Sequence, residues 1–293
     1  MREFEYRAPT SLDEAIGLLR ANGDGARALA GGTDLVVQMK ENATKFPPPS
    51  QLISLHRISE IKGIEFSEKD GLRIGAGATM TDVAASQLVR ARFQAVAEGA
   101  SVVGSIQTMN MATVGGNLCN AAPSADIAPA LLAFEGEAVI VGPSGRRTVP
   151  LAEFFAGPGR TVLAADDLLA EVRVKTPAPS TGSAYARHTP RKQMDIAVVG
   201  VGVVLTLAGK RIERARVALG AVAPTPIRVT AVEKALEGQA ISDELFAAAA
   251  AAAASECSPI SDVRGSAEFR RHLVRVMTER ILRLAAERAR RDG

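Results

Sequence analysis

No tryptophan occurs in this chain of 293 residues, aromatic side chains make up only 4% of it, and there are two cysteines and three histidines. Each scarcity excludes something. Two thiols, Cys119 and Cys257, are too few for a secreted disulfide scaffold and cannot supply the four thiolates of a cysteine-ligated iron–sulfur cluster. His56, His188 and His272 are too widely spaced for a zinc signature, so no metal site is expected. Charge is nearly balanced, 35 basic against 32 acidic residues for a net +3, which gives no electrostatic case for nucleic acid. Much of the basic excess sits near the C-terminus, at Arg270, Arg271, Arg275, Arg280, Arg283, Arg288, Arg290 and Arg291. No apolar run is long and charge-free enough to cross a bilayer, and the opening MREFEYRAPTS has no apolar signal core, so a cytoplasmic location is expected. A P-loop, an HExxH zinc helix and a GxSxG nucleophile elbow are all missing. Gly200-Val201-Gly202 and Gly75-Ala76-Gly77 each begin a dinucleotide fingerprint but lack its third glycine, and the former lies inside a strand-like run.

What is present is a pair of glycine doublets. Ala30-Gly31-Gly32-Thr33-Asp34 ends an apolar run and starts a helix. Thr113-Val114-Gly115-Gly116-Asn117 also stands just ahead of apolar residues. Without a Cβ, such turns let backbone N–H groups approach an anion closely, and strand, glycine turn and helix start together present free amides to phosphate. Two of them predict a ligand with more than one phosphate, gripped from two sides. Thr33 and Thr113 add hydroxyls and Asn117 adds an amide.

Hydrophobic residues make up 47% of the sequence, and 293 residues suffice for two domains or one large one with an ample core. Ser11 and Glu14 fit a capping box opening a helix that Gly23 ends. Ala26 to Ala30 is expected as a short buried strand, with Thr33 or Asp34 capping a helix to about Lys40. The prolines of Phe46-Pro47-Pro48-Pro49-Ser50 break the chain. Leu52 to Leu55 is a strand, Asp70-Gly71 and Pro143-Ser144-Gly145 turn hairpins, and Thr79 caps a helix from Met80. Helices are expected near Phe93 to Val103 and from Asp126 to Phe134. Alternation over Leu168 to Val174 predicts a half-buried strand. The linker candidate is Pro177-Ala178-Pro179-Ser180-Thr181-Gly182-Ser183. Beyond it, Ile196 to Leu207 and Ile212 to Leu219 form an antiparallel pair, followed by helices around Ala231–Leu236, Asp243–Ala254 and Glu268–Ala289. The last places Phe269, Leu273, Val276, Met277, Ile281 and Leu284 on a core face opposite a solvated arginine face; a docking surface for a partner subunit is the other reading.

The segments Leu29-Ala30-Gly31-Gly32-Thr33-Asp34-Leu35 and Ala112-Thr113-Val114-Gly115-Gly116-Asn117-Leu118-Cys119-Asn120-Ala121-Ala122-Pro123-Ser124-Ala125-Asp126 resemble the FAD-binding (medium) subunit of molybdenum hydroxylases. That family includes aerobic carbon monoxide dehydrogenase, xanthine dehydrogenase and 4-hydroxybenzoyl-CoA reductase. The resemblance runs over nearly the whole chain, from Pro9-Thr10-Ser11-Leu12-Asp13-Glu14-Ala15 to Asp195-Ile196-Ala197. It implies an α+β fold: a two-subdomain FAD-binding region of PCMH (vanillyl-alcohol-oxidase) type over 1–176, split into about 1–55 and 56–176, then a small C-terminal α+β domain with an antiparallel sheet over 184–293. It also implies FAD contacts from Leu29, Ala30, Gly31, Gly32, Thr33, Asp34, Leu35, Thr113, Val114, Gly115, Gly116 and Asn117. Asp126 matches a family carboxylate on the flavin's polar chain; a helix-start cap is the other reading. Leu169 matches an apolar residue near the isoalloxazine, or is an ordinary strand residue. Arg187 stands where a flavin-proximal lysine occurs in xanthine dehydrogenase, where a cation favours reduced, anionic flavin; a surface arginine is the rival. Cys119 is expected as a buried small residue. The Asn117-Leu118-Cys119-Asn120 stretch and the absence of a histidine near Thr33 are closer to the xanthine dehydrogenase and reductase groups, although the reductase's four-cysteine insertion is missing.

The implied function is an FAD-carrying oxidoreductase subunit with no catalytic acid–base pair of its own. It takes electrons from a 2Fe–2S partner subunit and passes them to NAD, a quinone or O2. The molybdenum cofactor sits on a large subunit, and the assembly is a dimer of heterotrimers. Two rival classes are a stand-alone flavin oxidase or reductase of the same fold, and a non-catalytic structural subunit.

Overall fold

The computed structural model describes residues 3–41, 48–191 and 193–291; Phe46 and Pro47 of the expected proline break lie outside them. The chain opens with β1 (Glu5–Arg7), α1 (Leu12–Asn22), β2 (Ala26–Leu29), α2 (Leu35–Lys40) and β3 (Gln51–Ser54). The strands form a parallel sheet in the order β1-β3-β2. Ser11 caps α1, its Oγ accepting from the Glu14 N–H, and Gly23 closes the helix at φ 48. The Glu14 carboxylate accepts from the Thr10 N–H, one residue earlier than a strict capping box requires.

A larger unit follows: β4 (Ile64–Ser67), β5 (Gly71–Gly75), α3 (Met80–Ala85), α4 (Gln87–Arg92), α5 (Gln94–Ser101), α6 (Ile106–Met109), α7 (Val114–Asn120), α8 (Ile127–Ala133), β6 (Glu137–Gly142), β7 (Gly145–Pro150), α9 (Leu151–Phe154), β8 (Phe155–Gly157), β9 (Arg160–Thr161) and β10 (Leu168–Val174). Its antiparallel sheet has the order β4-β5-β10-β6-β7. Both expected hairpins form, and Thr79 caps α3 in a full capping box with Asp82. Fully buried Phe93 meets Phe66 and Phe134, ring centroids 6.1 and 5.3 Å apart.

The alternation of β10 was a poor guide to its burial. The strand is central, and all its residues but Arg173 are buried. The polar residue of the pattern, Glu171, shares its face with exposed Arg173 and is buried because Arg73 and Arg173 cover it, their Nε atoms donating to its two oxygens at 2.5 and 2.6 Å. These bonds outweigh the cost of burial and hold its carboxyl below the usual range.

The C-terminal part comprises β11 (Thr181–His188), β12 (Val199–Ala208), β13 (Arg211–Gly220), β14 (Ile227–Arg228), α10 (Thr230–Leu236), α11 (Asp243–Glu256) and α12 (Ala267–Arg291). Its sheet is antiparallel, in strand order. The buried stripe of α12 is Val274, Met277, Thr278, Ile281, Leu282, Ala285, Ala286 and Ala289, rotated from the expected face; Phe269 stays 42% exposed. The small alanines cause the rotation. They let the helix lie so close to β11 that a Cβ on Gly182 would stand 2.1 Å from the Ala285 oxygen. Nor is every arginine of this helix solvated. Arg270 is buried, donating to the carbonyls of Val198 and Ala221 at 2.8 and 3.1 Å and pairing with Asp262 at 2.8 Å.

Three carboxylates of the N-terminal part reach across to the C-terminal part. Glu98 accepts from the Tyr185 N–H and from Arg288 Nη2, at 2.8 and 2.6 Å. Asp126 accepts from the Tyr185 hydroxyl and from Arg187. Glu135 binds Arg214, Arg216 and Arg228.

Candidate functional site

The β2–α2 turn, the start of α7 and the segment leading into α8 meet around one cavity of about 810 Å³, with Leu168, Leu169, Arg191, Met194, Asp195, Ile196 and Arg264 completing its wall. Within its lining lie Leu29, Ala30, Gly31, Gly32, Thr33, Asp34 and Leu35 from the first glycine segment. Thr113, Gly115, Gly116 and Asn117 come from the second, together with Asp126 and Leu169. Val114 and Arg187 do not line it.

The two glycine turns differ in kind. Among the described residues, the five consecutive N–H groups of Gly31, Gly32, Thr33, Asp34 and Leu35 have no protein acceptor. Gly32 has φ +72, a left-handed value that curls the chain. A Cβ on Gly31 would stand 1.8 Å from the Met111 carbonyl oxygen, so only glycine lets this turn lie against the segment that leads into α7. Asp34 begins α2 by position, but its side chain makes no capping bond, and burial pushes its carboxyl up.

At the second doublet the expectation of free amides fails. Gly115 and Gly116 lie inside the first turn of α7, not ahead of it. Thr113 caps that turn, its Oγ1 accepting from Gly116 N–H at 3.0 Å. The Val114 and Gly115 amides donate to Ala78 and Ala76, at 2.9 and 2.8 Å, and the Asn117 amide to Thr113. The glycine at 115 serves close packing, since a Cβ there would come 2.6 Å from the Ala76 Cβ. What this helix offers to the cavity is the Asn117 side chain, whose Oδ1 is buried without a partner among the described residues. Leaving such a group unbonded is costly. Cys119 is half-buried at the same wall, and burial pushes its thiol up to about 12, which keeps it protonated and unreactive.

Asp126 precedes α8 without capping it. Its Oδ1 accepts from the Tyr185 hydroxyl at 2.8 Å and its Oδ2 from Arg187 Nη1 at 2.6 Å. Burial pushes the carboxyl up to about 6, with Arg187 and Tyr185 opposing. Arg187 is no surface arginine: its side chain is 6% exposed, and its Nη2 has no partner among the described residues. Tyr185, Arg191 and Arg264 escaped the sequence reading. Tyr185 was the traceable one, because it shares the period-2 face of β11 with Arg187.

The cavity suits a dinucleotide. Five bare amides match the acceptor oxygens of a diphosphate, an orphaned amide oxygen awaits a donor, and Leu55, Ile61, Val103, Leu163, Leu168 and Leu169 give an apolar seat for a ring. No cluster of three or more His, Cys, Asp or Glu suited to a metal ion exists among the described residues, and no helix there is long and apolar enough to cross a membrane.

Comparison with known proteins agrees. Residues 2–177 match the FAD binding domain in molybdopterin dehydrogenase, and residues 184–285 the CO dehydrogenase flavoprotein C-terminal domain. The chain is 38% identical over 282 residues to the carbon monoxide dehydrogenase medium chain of Hydrogenophaga pseudoflava, covering 96% of each. It is 32% identical to the xanthine dehydrogenase FAD-binding subunit of Escherichia coli O157:H7, covering 94% of each. The higher identity to the carbon monoxide dehydrogenase chain runs against the leaning drawn from Asn117 to Asn120. Among solved structures, carbon monoxide dehydrogenase from Hydrogenophaga pseudoflava lacking the Mo-pyranopterin moiety superposes with a TM-score of 0.93 at 37% identity, over 98% of each chain. Quinoline 2-oxidoreductase from Pseudomonas putida 86 gives 0.90 at 30%, over 98% of each. The chain thus belongs to the FAD-binding subunits of the molybdenum hydroxylase family of oxidoreductases.

Proposed function

We propose that this subunit passes electrons through FAD, from 2Fe–2S clusters on a small partner subunit to an external acceptor, while substrate is oxidised at a molybdenum cofactor on a large subunit. The observation that carries the reading is the run of five unengaged amides at 31–35 facing the same cavity as the orphaned Asn117 oxygen. Bound FAD would supply the chemistry of taking electrons singly and giving them up in pairs. The chain's own work is then placement. The amides of Gly31 to Leu35 hold the pyrophosphate, and the Asn117 carboxamide receives a donor from the cofactor. Leu168 and Leu169 exclude water from the ring. Val114, Gly115 and Gly116 set α7 at the correct distance, and Thr113 fixes its first turn.

The names of the relatives, a medium chain and an FAD-binding subunit, support a heteromer, for which we infer a dimer of heterotrimers. The boundary between the two parts falls in the 177–183 segment, and the acceptor is NAD, a quinone or O2. The test is to purify the chain with its natural partners and assay flavin, molybdenum and iron. Stoichiometric flavin with both metals is the expected result; a complex without flavin overturns the proposal. Turnover of an organic substrate by the isolated chain would favour the stand-alone flavoenzyme.

A further inference from the structure

Between cavity and C-terminal part lies a compact buried group that the proposed function does not yet explain. Asp126 lines the cavity, while Arg187 reaches it only through Asp126. Tyr185 adds a third member: its ring is buried, and its hydroxyl spends its proton on Asp126 Oδ1. The neighbouring strand is cut away to admit it. A Cβ on Gly200 would stand 2.9 Å from the Tyr185 hydroxyl oxygen. The backbone of Tyr185 is fixed as well, its N–H bonded to Glu98 of α5. Phenylalanine would fill this position by apolar packing with neither a hydroxyl acceptor nor a glycine opposite it.

We propose that Tyr185 is a positioning residue for the flavin site: its hydroxyl keeps Asp126 a carboxylate, so that the cavity faces a neutral Asp126–Arg187 pair and not an uncompensated guanidinium. The inference rests on FAD occupying this cavity. Asp126 has one donor per oxygen, Tyr185 on Oδ1 and Arg187 on Oδ2. Burial raises its carboxyl to about 6, opposed first by the Arg187 charge and then by the Tyr185 hydrogen bond, so losing that hydroxyl shifts its charge balance near neutral pH. Of the other ionisable groups lining the cavity, burial pushes the Asp34 carboxyl up, while Asp167 pairs with Arg147, Asp195 with Arg191 and Arg264 with Asp262. From β11, Tyr185 has its hydroxyl held well above its ordinary range by burial and by Asp126, so it stays a donor. From α7, Cys119 remains a thiol. From α5, Glu98 is taken up by Arg288 and the Tyr185 amide. When Asp126 takes a proton from solvent, the Arg187 charge is no longer balanced, and the reduced, more negative state of the cofactor gains. Reduction then draws an extra proton onto Asp126, so the flavin potential rises more steeply with acidity between the Asp126 titrations of the oxidised and the reduced complex than on either side of them.

The experiment is a reductive titration of the purified holo-complex, followed by flavin absorbance from pH 5 to 9, for wild type, Tyr185→Phe, Asp126→Asn and Gly200→Ala. Wild type should show an added inflection near pH 6. Tyr185→Phe should move it up by about one unit or more, the worth of a hydrogen bond to a charge. Gly200→Ala, which crowds the hydroxyl without removing it, should move it in the same direction and covers the case in which Tyr185→Phe does not fold. Asp126→Asn should abolish it. An inflection unmoved in Tyr185→Phe or in Gly200→Ala, or surviving in Asp126→Asn, overturns the proposal, as does its absence from a flavin-loaded wild type. A wild-type complex with no flavin instead removes the cofactor assignment beneath it.

Discussion

Gly31 carries the sharpest steric demand at the site, because the carbonyl oxygen of Met111 occupies the space a β-carbon would need. Gly31→Ala must push the first glycine turn away from α7 and should leave the purified complex with little or no flavin. At Gly116 an added Cβ meets only Thr113 Oγ1, at 3.0 Å, and Ala30 Cβ at 3.9 Å, so Gly116→Ala should retain most of the cofactor. Flavin released by denaturation and measured against protein checks both, and equal retention in the two variants would defeat the assignment of unequal roles. The first turn was legible in the sequence because its chemistry is local: strand, two glycines, helix. The second was misjudged because a glycine doublet does not reveal whether its amides are already taken, here by Ala76, Ala78 and the cap at Thr113. Arg191 and Arg264 were invisible for another reason. They reach the cavity from a different part of the chain, and no spacing in the sequence encodes that.

At the scale of elements, β10 shows how far a pattern can be trusted. Its position and length were plain from its residues, yet its burial depended on being the middle strand of five and on two guanidinium partners for Glu171. Because those partners hold the Glu171 carboxyl below its ordinary range, the ionised form stabilises the fold. That contribution is present above the unfolded-chain value, about 4.5, and is lost as pH falls through the lower folded one. Glu171→Gln should thus cost about 2 kcal/mol at neutral pH and flatten the acid side of the stability profile, as denaturant titrations at pH 3 to 7 would report. A variant as acid-sensitive as wild type would count against it. The α12 stripe was misplaced for a related reason: hydropathy favoured Phe269 and Leu273, whereas contact with β11 selects small residues at 285, 286 and 289. Helix existence followed from periodicity, but its rotation followed from a neighbour.

Across the whole molecule, acid on one side meets base on the other. Glu98, Asp126 and Glu135 belong to the flavin-binding part, and every arginine that pairs with them belongs to the C-terminal part. Glu135 is half-exposed, so each of its ion pairs contributes only modestly, about 1 kcal/mol or less, but three converge on one carboxylate. Glu135→Gln should lower the temperature at which the C-terminal part separates and make calorimetric unfolding less cooperative; an unchanged, single transition would show that the Glu135 pairs do not hold the parts together.

One side of the cofactor cavity is closed by its own hydrogen bonds and the other is not. Deprived of FAD, the α7 turn keeps its bonds to Ala76, Ala78 and Thr113, whereas the amides from Gly31 to Leu35 are left to water. Deuterium should therefore enter the first turn rapidly in flavin-stripped protein and slowly once flavin is restored, while the second turn changes little. Loading would then resemble a clasp with one fixed jaw: α7 stands ready from the moment the chain folds, and the guest itself sets the other half.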